Sequence, residues 1–561
     1  MSTCKKILRI FLKAILWLFL VLLLLLLSLF LYVHFGINTR PPEISDTSTL
    51  ELKRTEQGPN TFSLGENWFR KSNSGLYEMY LEGDAFERGV AYGKLTEELV
   101  QRQEDHFTDQ FLQMVPSKSY LHLLKYFVKW FNRNMVENVP LEYQKEIYGV
   151  SFAASDKHKA IGKKYHRILN YHAAHDIGHA LQNMALVGCT SFATWDDQSE
   201  DSSLIIGRNF DFYVGDKFAE EKIVAFYQPD EGHRFMMLTW AGFVGVVSGM
   251  NEKGLTVTIN AAKSSMPSGS ATPVSIVARE ILQYAGNIAE AYEIASRRKM
   301  FVSESFLIGS LADGRAAVIE KTPDQLAIYE PSENILLCTN HFQSELLDTS
   351  TSNVAQKNNS ASVYRYQRLS ELLTQNKYNS VFKTVQILRD LKGLNGADIG
   401  MGNEKAINQL IAHHSIVFQP EKLMVWVSTA PWQLGSFVAY DLNTIFGLDS
   451  ISPGVEIMDK TNNINADPIL ASPDFHRFMK YRAMKEAIKN GEIVDIQQLI
   501  TSNPNHYHAY VLAGDYKYKS KDYKEAKRFY SEALTKEIAT IEEKNYILEQ
   551  IQKSKEKGKL N

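Results

Sequence analysis

Twenty consecutive positions, residues 14–33, read AILWLFLVLLLLLLSLFLYV and carry no charge. At about 1.5 Å of helical rise per residue such a run spans a hydrocarbon core of roughly 30 Å, which predicts a membrane helix. A cleaved signal peptide is the rival reading, but its apolar region usually holds about 7–15 residues and ends at a small-residue cleavage site, and neither holds here. Residues 37–75 are rich in Pro, Ser, Thr, Asn and charge, and read as a stalk with no core. From Leu76 to Ala185 apolar residues recur at three-to-four spacing, in stretches such as YLHLLKYFVKWFNRNM and EYQKEIYGVSFAAS, which predicts helices.

The texture changes near Gly188. Short runs with strand character follow one another, LIIGRNFDF, KIVAFYQ, FMMLTW, VGVVSGMN and GLTVTIN, separated by Gly, Asp and Asn. Helical spacing returns in VSIVAREILQYAGNIAEAYEIA and strands in SFLIGS, RAAVIEK, QLAIYE and NILLCTN. A helix at VYRYQRLSELL and the strands SIVFQ, KLMVWVS and GSFVAYDL complete the series near residue 445. Strands, helices and strands in this order predict a layered α+β domain. Residues 446–472 are polar and Asn-rich, a linker by composition. Residues 473–561 are helical, and YVLAGDYKYKSKDYKEAKRFYSEAL places Tyr510, Gly514, Ala526, Tyr530 and Ala533 at tetratricopeptide spacing. A generic amphipathic hairpin accounts for the same pattern. Since fewer than about three such repeats rarely stand alone, the segment is expected to pack on the preceding domain or to engage a protein partner.

At 561 residues the chain is too long for one core. Its formal net charge of -3 supplies no global basic field, which argues against nucleic-acid binding. Lys5, Lys6, Arg9 and Lys13 precede the apolar run, whereas Arg40 after it is mixed with Glu43 and Asp46. That bias predicts a cytoplasmic N-terminus, with everything after about residue 36 on the other side of the membrane. The cysteines are Cys4, Cys189 and Cys338, which leaves at most two in an oxidising compartment and no disulfide framework. A buried Cys is ordinarily a small hydrophobe, so local context has to supply any chemical role.

That context is LVGCTSFATWDDQSEDSSLIIGRNFDF, Leu186 to Phe212. If the Gly188–Cys189 bond is cut, Cys189 gains an α-amino group with an ordinary pKa of about 7.7–8.0 beside its own thiol. Nucleophile and base then share one residue. Gly188, without a Cβ, tolerates strain and leaves its carbonyl open to the thiol. A Gly-Cys pair alone does not single out this chemistry.

The surrounding motifs resemble those of the penicillin acyltransferase-like (isopenicillin N acyltransferase-like) cysteine peptidases. These are N-terminal-nucleophile hydrolases related to the choloylglycine hydrolases and acid ceramidases. In that superfamily the mature chain begins with Cys and a G-R-N-x-D strand follows, here Gly207, Arg208, Asn209, Phe210 and Asp211. GMNEKGLTVTIN ends in Asn260, at the place of an oxyanion-site Asn. NILLCTNHF carries Asn340 of a T-N motif, and SVYRYQRL carries Arg365, a guanidinium that closes the site. Upstream, EGDAFERGVAYGKLTEE, Glu82 to Glu98, resembles the acyltransferase branch, in which the segment before Cys remains as a small subunit. The resemblance covers roughly residues 76–445 and implies a four-layer αββα core. The substrate it implies is a small-molecule N-acyl amide cleaved through a thioester, with no metal and no other cofactor. Asn260 and Asn340 then serve as oxyanion donors, Asp211 holds the α-amine, and Arg208 orients Asp211 or lowers the thiol pKa.

The expected organisation is a cytoplasmic tip and anchor (1–36), stalk (37–75), helical pro-segment (76–188), catalytic domain (189–445), linker (446–472) and tetratricopeptide-like segment (473–561). His172, His175 and His179 with Asp176 lie on one helix face, but H-E-x-x-H is missing and a polar helix face explains them. His413 and His414 read as structural, and Cys338 as core packing that strand alternation brings to the same face as Asn340. No G-x-S-x-G, P-loop or dinucleotide fingerprint occurs. The competing hypothesis is a membrane-anchored scaffold with an inactive hydrolase fold and a partner-binding C-terminal segment.

Overall fold

The computed structural model describes residues 2–33, 37, 40–114, 126–174, 176–177, 188–213, 215–263, 267, 269–447 and 454–559. The chain starts with the helix Ser2–Leu31, of which Lys6–Leu31 has mean hydropathy 3.1 and an exposed surface. It is long and apolar enough to cross a membrane, a test that a signal sequence also passes.

Among the described residues the strands form two sheets. The larger has eleven strands in the order Thr55–Gly58, Thr61–Leu64, Asn67–Lys71, Tyr77–Gly83, Ile223–Pro229, Phe235–Thr239, Ser248–Asn251, Leu255–Ala262, Ser303–Ser310, Arg315–Lys321 and Leu326–Tyr329. The smaller has six, in the order Ile335–Cys338, Thr190–Thr194, Ile205–Phe210, His414–Gln419, Met424–Ser428 and Phe437–Asp441. This is an α+β architecture.

Period-two alternation divides the apolar side chains of each sheet between two faces. Val224, Phe226, Met236 and Leu238 of the larger sheet share a core with Ile206, Ile416, Phe418 and Val427 of the smaller. The other face of the larger sheet, with Ile223, Ala225, Ile259 and Phe306, packs with Tyr92, Ile147 and Ile281 of the helices Ala85–Leu95, Leu141–Ser151 and Val274–Tyr284. The other face of the smaller sheet, with Phe192, Ile205 and Val417, packs with Leu369 and Val385 of the helices Ser362–Gln375 and Val381–Leu388.

The stretch 37–75 departs from the expected coreless stalk. Three of its segments are strands of the larger sheet, and Leu64, Trp68 and Phe69 are buried. Four- and five-residue strands are too short to stand out from a polar composition, and their stability comes from ladder partners supplied later in the fold. Tyr77–Gly83, within the stretch expected to be helical, pairs in parallel with Ile223–Pro229, Tyr77 opposite Ile223 and Gly83 opposite Pro229. Residues before and after Cys189 are therefore neighbours in one sheet.

The helix Ala85–Leu95 starts in a capping box, Asp84 accepting from the Phe86 and Glu87 N–H groups and Glu87 accepting from the Asp84 N–H. Its glycines permit contact with Leu141–Ser151: a Cβ on Gly89 would lie 2.1 Å from the Glu146 carbonyl oxygen, and one on Gly149 would lie 2.6 Å from the Val90 nitrogen. Glu146, buried at this crossing, pairs with Arg88 at 3.2 Å and with Arg279 of Val274–Tyr284 at 3.1 Å.

Of the stretch expected as a linker, residues 454–472 run beside the smaller sheet, with Phe437 paired to Ile464 and Tyr440 to Met458. The helices Pro473–Lys489, Ile496–Ser502, Tyr507–Lys519, Tyr523–Ala533 and Ile541–Lys557 follow. Gly514 lets Tyr507–Lys519 approach Tyr523–Ala533, since a Cβ there would meet the Tyr530 ring at 2.5 Å, and Tyr530 donates to Asp515 at 2.7 Å. The apolar core of these helices also takes in Leu410 and Leu434, so the segment is packed onto the domain before it.

Gly89→Ala is expected to lower stability by about 1–3 kcal/mol, because backbone rather than a flexible side chain has to move. Denaturant unfolding of the full chain checks this; an unchanged midpoint contradicts the packing described.

Candidate active site

The register of the smaller sheet sets Thr190 opposite Asn209 and Ser191 opposite Arg208, which brings Cys189 beside the G-R-N-F-D strand. Alternation turns Arg208 toward the larger sheet and Asn209 toward the helices. Gly207 keeps the strand close to its covering helix, a Cβ there meeting Thr384 at 2.5 Å.

Arg208 is fully buried. Its guanidinium donates to the carbonyls of Val247 and Ile259, to Ser248 Oγ, and to Cys189 Sγ at 3.7 Å. Ser248 Oγ also bonds His414 Nε2 at 2.8 Å, and His414 Nδ1 lies 2.8 Å from His413 Nδ1. The histidine pair therefore supports the residue that touches the sulfur. Burial, reinforced by Arg208 and Lys222, holds both imidazoles well below their usual range, which keeps them neutral.

Burial pushes the Cys189 thiol up to about 11, against the pull of Arg208. Asp211 is fully buried just past the strand; burial raises it to about 7, with Arg365 and Arg208 holding it down. Its backbone carbonyl accepts from the Gly188 N–H at 3.0 Å, while its Oδ1 has no hydrogen-bond partner among the described residues. Arg365, on the first turn of Ser362–Gln375, donates to the Cys189 carbonyl at 2.6 Å, to Thr190 Oγ1 at 2.8 Å and to Asn340 Oδ1 at 2.7 Å. Asn340 Nδ2 donates to the Ala261 carbonyl at 2.9 Å. Asn260 accepts from Ser191 at 2.8 Å and donates to the Cys338 and Thr339 carbonyls at 3.1 and 3.2 Å. In the uncut chain its amide thus ties the two sheets together at the site.

Arg208, Asp211, Asn260, Asn340 and Arg365 accordingly gather around Gly188 and Cys189. The motif reading missed Gln409, whose Nε2 donates to the Gly188 carbonyl at 2.6 Å and to Asp211 Oδ2 at 3.2 Å. It also missed Ser248, and it gave His414 no link to Arg208. None of these lies in a local signature; only the pairing of His414–Gln419 with Ile205–Phe210 brings His414 near, with His414 opposite Phe210.

Cys338 is buried between the sheets and, like Cys189, is a free thiol. His172 bonds the Ile168 carbonyl and accepts from the Val244 N–H, and Asp176 accepts from the Val274 N–H. His175 and His179 lie outside the described residues. Among the described residues no three side chains are grouped as metal ligands. A cavity of about 2010 Å³ has Gly188, Asn340, Arg365 and Gln409 among its lining residues, together with Tyr481 and His508 of the C-terminal helices.

Residues 198–430 match the family model of the acyl-coenzyme A:6-aminopenicillanic acid acyl-transferases, in agreement with the motifs. The matched segment contains Arg208, Asp211, Asn260, Asn340 and Arg365 and begins after Cys189. An uncharacterised protein of Archaeoglobus fulgidus is 28% identical over 274 residues, 46% of this chain and 45% of that protein. The dcd1B protein of Dictyostelium discoideum is 21% identical over 309 residues, 52% of this chain and 57% of that protein. The matches span about half the length of these curated relatives. Among solved structures, an N-acylethanolamine-hydrolyzing acid amidase ortholog of Caenorhabditis elegans is 19% identical with a TM-score of 0.30, covering 41% of this chain and 93% of the other. Penicillin V acylase of Agrobacterium tumefaciens is 12% identical with a TM-score of 0.29, covering 50% and 98%.

Cys189 is fully buried and burial pushes its thiol up to about 11, so the protonated form dominates near neutral pH. Iodoacetamide is expected to label Cys189 in the folded uncut chain far more slowly than in urea, as read by peptide mass; equal rates contradict the burial and charge described.

Proposed function

We propose that this chain is a self-processing N-terminal-nucleophile cysteine amidohydrolase or acyltransferase that acts on linear N-acyl amide bonds. The observation that carries the reading is the convergence of Arg208, Asp211 and Arg365 on the two residues Gly188 and Cys189: Arg208 reaches the Cys189 sulfur, the Asp211 carbonyl accepts from the Gly188 N–H, and Arg365 donates to the Cys189 carbonyl. The family match over 198–430 supports the same chemistry. The two sheets packed face to face under helices support a four-layer αββα core, and the glycine-mediated helix pair at Gly514 supports a tetratricopeptide-like segment.

In the uncut chain the Cys189 nitrogen is an amide and cannot act as a base. Once the bond is broken, that nitrogen becomes an amine beside the thiol, with the unpartnered Asp211 oxygen available to hold it. The thiol, its charge favoured by Arg208, attacks an amide carbonyl; Asn340 and Asn260, whose amides donate to backbone carbonyls in the intact chain, turn to the oxyanion, and such donors are commonly worth about 2.7–4 kcal/mol each. The leaving amine departs and a thioester remains on Cys189, which water hydrolyses or a second amine accepts.

The cut divides the chain into 1–188 and 189–561. The parallel ladder between Tyr77–Gly83 and Ile223–Pro229, together with the Glu146–Arg279 pair, supports a product whose two parts stay together. The apolar helix serves as a single-pass anchor with a cytoplasmic N-terminus, the catalytic domain lying on the opposite side.

Purified full-length protein is expected to run as two fragments on a denaturing gel while eluting as one species in detergent, and Cys189→Ala to remain whole. Folded wild type that stays whole defeats the proposal. A screen of N-acyl amino acids, bile-acid conjugates and β-lactams against wild type and Cys189→Ala then assigns the substrate.

A further inference from the structure

Gln409 is almost fully buried, and its two amide hydrogens have two acceptors, the Gly188 carbonyl oxygen at 2.6 Å and Asp211 Oδ2 at 3.2 Å. Residue 188 is fitted to it from the other side: a Cβ there would lie 2.5 Å from Gln409 Nε2 and 2.6 Å from its Oε1. The loop that presents Gln409 is held at many points. Asn209 donates to the carbonyls of Leu388 and Ile407, and Asn403 donates to the carbonyls of Ile399 and Glu537. Lys405 pairs with Glu537 at 2.5 Å, and Gly400, at φ +81°, lies against His506 with no room for a Cβ. The next residue, Leu410, is buried with φ 55°, a left-handed conformation that a leucine adopts only when its surroundings impose it.

We infer that Gln409 is the oxyanion donor for self-cleavage of the Gly188–Cys189 bond, and that the C-terminal helices, by gripping its loop, take part in maturation. The inference rests on the self-processing reading and names the residue that polarises the scissile carbonyl. The Cys189 sulfur bonds to the Gly188 carbonyl carbon as its proton passes to the Asp211 carboxylate. The carbonyl electron pair moves onto oxygen, where the Gln409 N–H already points. On collapse the carbon–nitrogen bond breaks and the departing nitrogen takes the proton from Asp211, leaving a thioester between Gly188 and Cys189. The α-amine of Cys189 is free from that point, and water adds to the thioester to release the Gly188 carboxyl and the thiol. The second Gln409 N–H stabilises the carboxylate form of Asp211, so one side chain serves both the base and the oxyanion.

The test is a pulse of cell-free synthesis of the full chain in detergent, with the uncut fraction followed on gels across pH. Wild type is expected to process faster as pH rises through about 7, where Asp211 loses its proton. Gln409→Met, which keeps length and removes the donor, is expected to process about 10²–10³-fold more slowly. Its pH midpoint should move upward, because the carboxylate has lost a hydrogen bond. Gly188→Ala, which drives a methyl into the Gln409 amide, is expected to slow processing in the same way and covers the case in which Gln409→Met does not fold. A purely structural Gln409 predicts a lower melting temperature with an unmoved pH midpoint. Folded variants that process at the wild-type rate overturn the inference. Folded wild type that never processes removes the self-cleavage reading itself, a result seen without any variant.

Discussion

Arg208 carries a positive charge into the space between two β-sheets, and the rest of the site is arranged around keeping that charge solvated by protein. Placing an ion in such surroundings costs several kcal/mol even after relaxation. The carbonyl dipoles of Val247 and Ile259 and the hydroxyl of Ser248 replace the lost water; Ser248 and Ile259 lie on strands of the larger sheet, opposite the one that carries Arg208, and Val247 directly precedes the first of them. The same guanidinium reaches Cys189 Sγ. Sheet packing and thiol electrostatics thus depend on one side chain, and a shift of either sheet alters both.

The second constraint is topological. The segment before Cys189 contributes four strands and several covering helices to the domain that follows it, so it is an integral part of that structure. A cut beside Cys189 breaks one covalent link in a sheet whose hydrogen bonds and buried ion pairs cross the gap. The C-terminal helices play a parallel part at the other end, packing on the loop from Ile399 to Leu410 and helping to line the cavity that Gly188 borders. The helical segment after residue 472 is therefore in contact with the loop that reaches the Gly188 carbonyl.

On the proposed self-processing reading, the buried titratable groups account for a quiescent chain before cleavage. The thiol is pushed up by burial while Asp211 is raised to about 7, and the nitrogen that is to serve as base is still part of a peptide bond. The proposed cleavage draws on local geometry at Gly188, where a missing side chain, a carbonyl bound by Gln409 and the Asp211 carboxylate meet.

Several features were legible in the residues alone because each is written within a short stretch of chain. Twenty uncharged positions signal the N-terminal helix, the G-R-N-F-D motif points to the strand that Cys189 lies beside, and period two along Ile205–Phe210 separates Arg208 from Asn209. The texture of short strands and helices after residue 188 is enough for an α+β class. The strands between residues 55 and 71 were hidden, since four polar-rich residues are a strand only when a ladder exists to receive them. Gln409, Ser248 and His414 were hidden for a related reason: none has a local signature, and their roles arise from contacts with residues 40 to 221 positions away. Local propensity and periodicity say which face a side chain takes on its own element. Which distant element meets that face, and which backbone is forced into the conformation of Leu410, is decided only when the two sheets and the terminal helices close together.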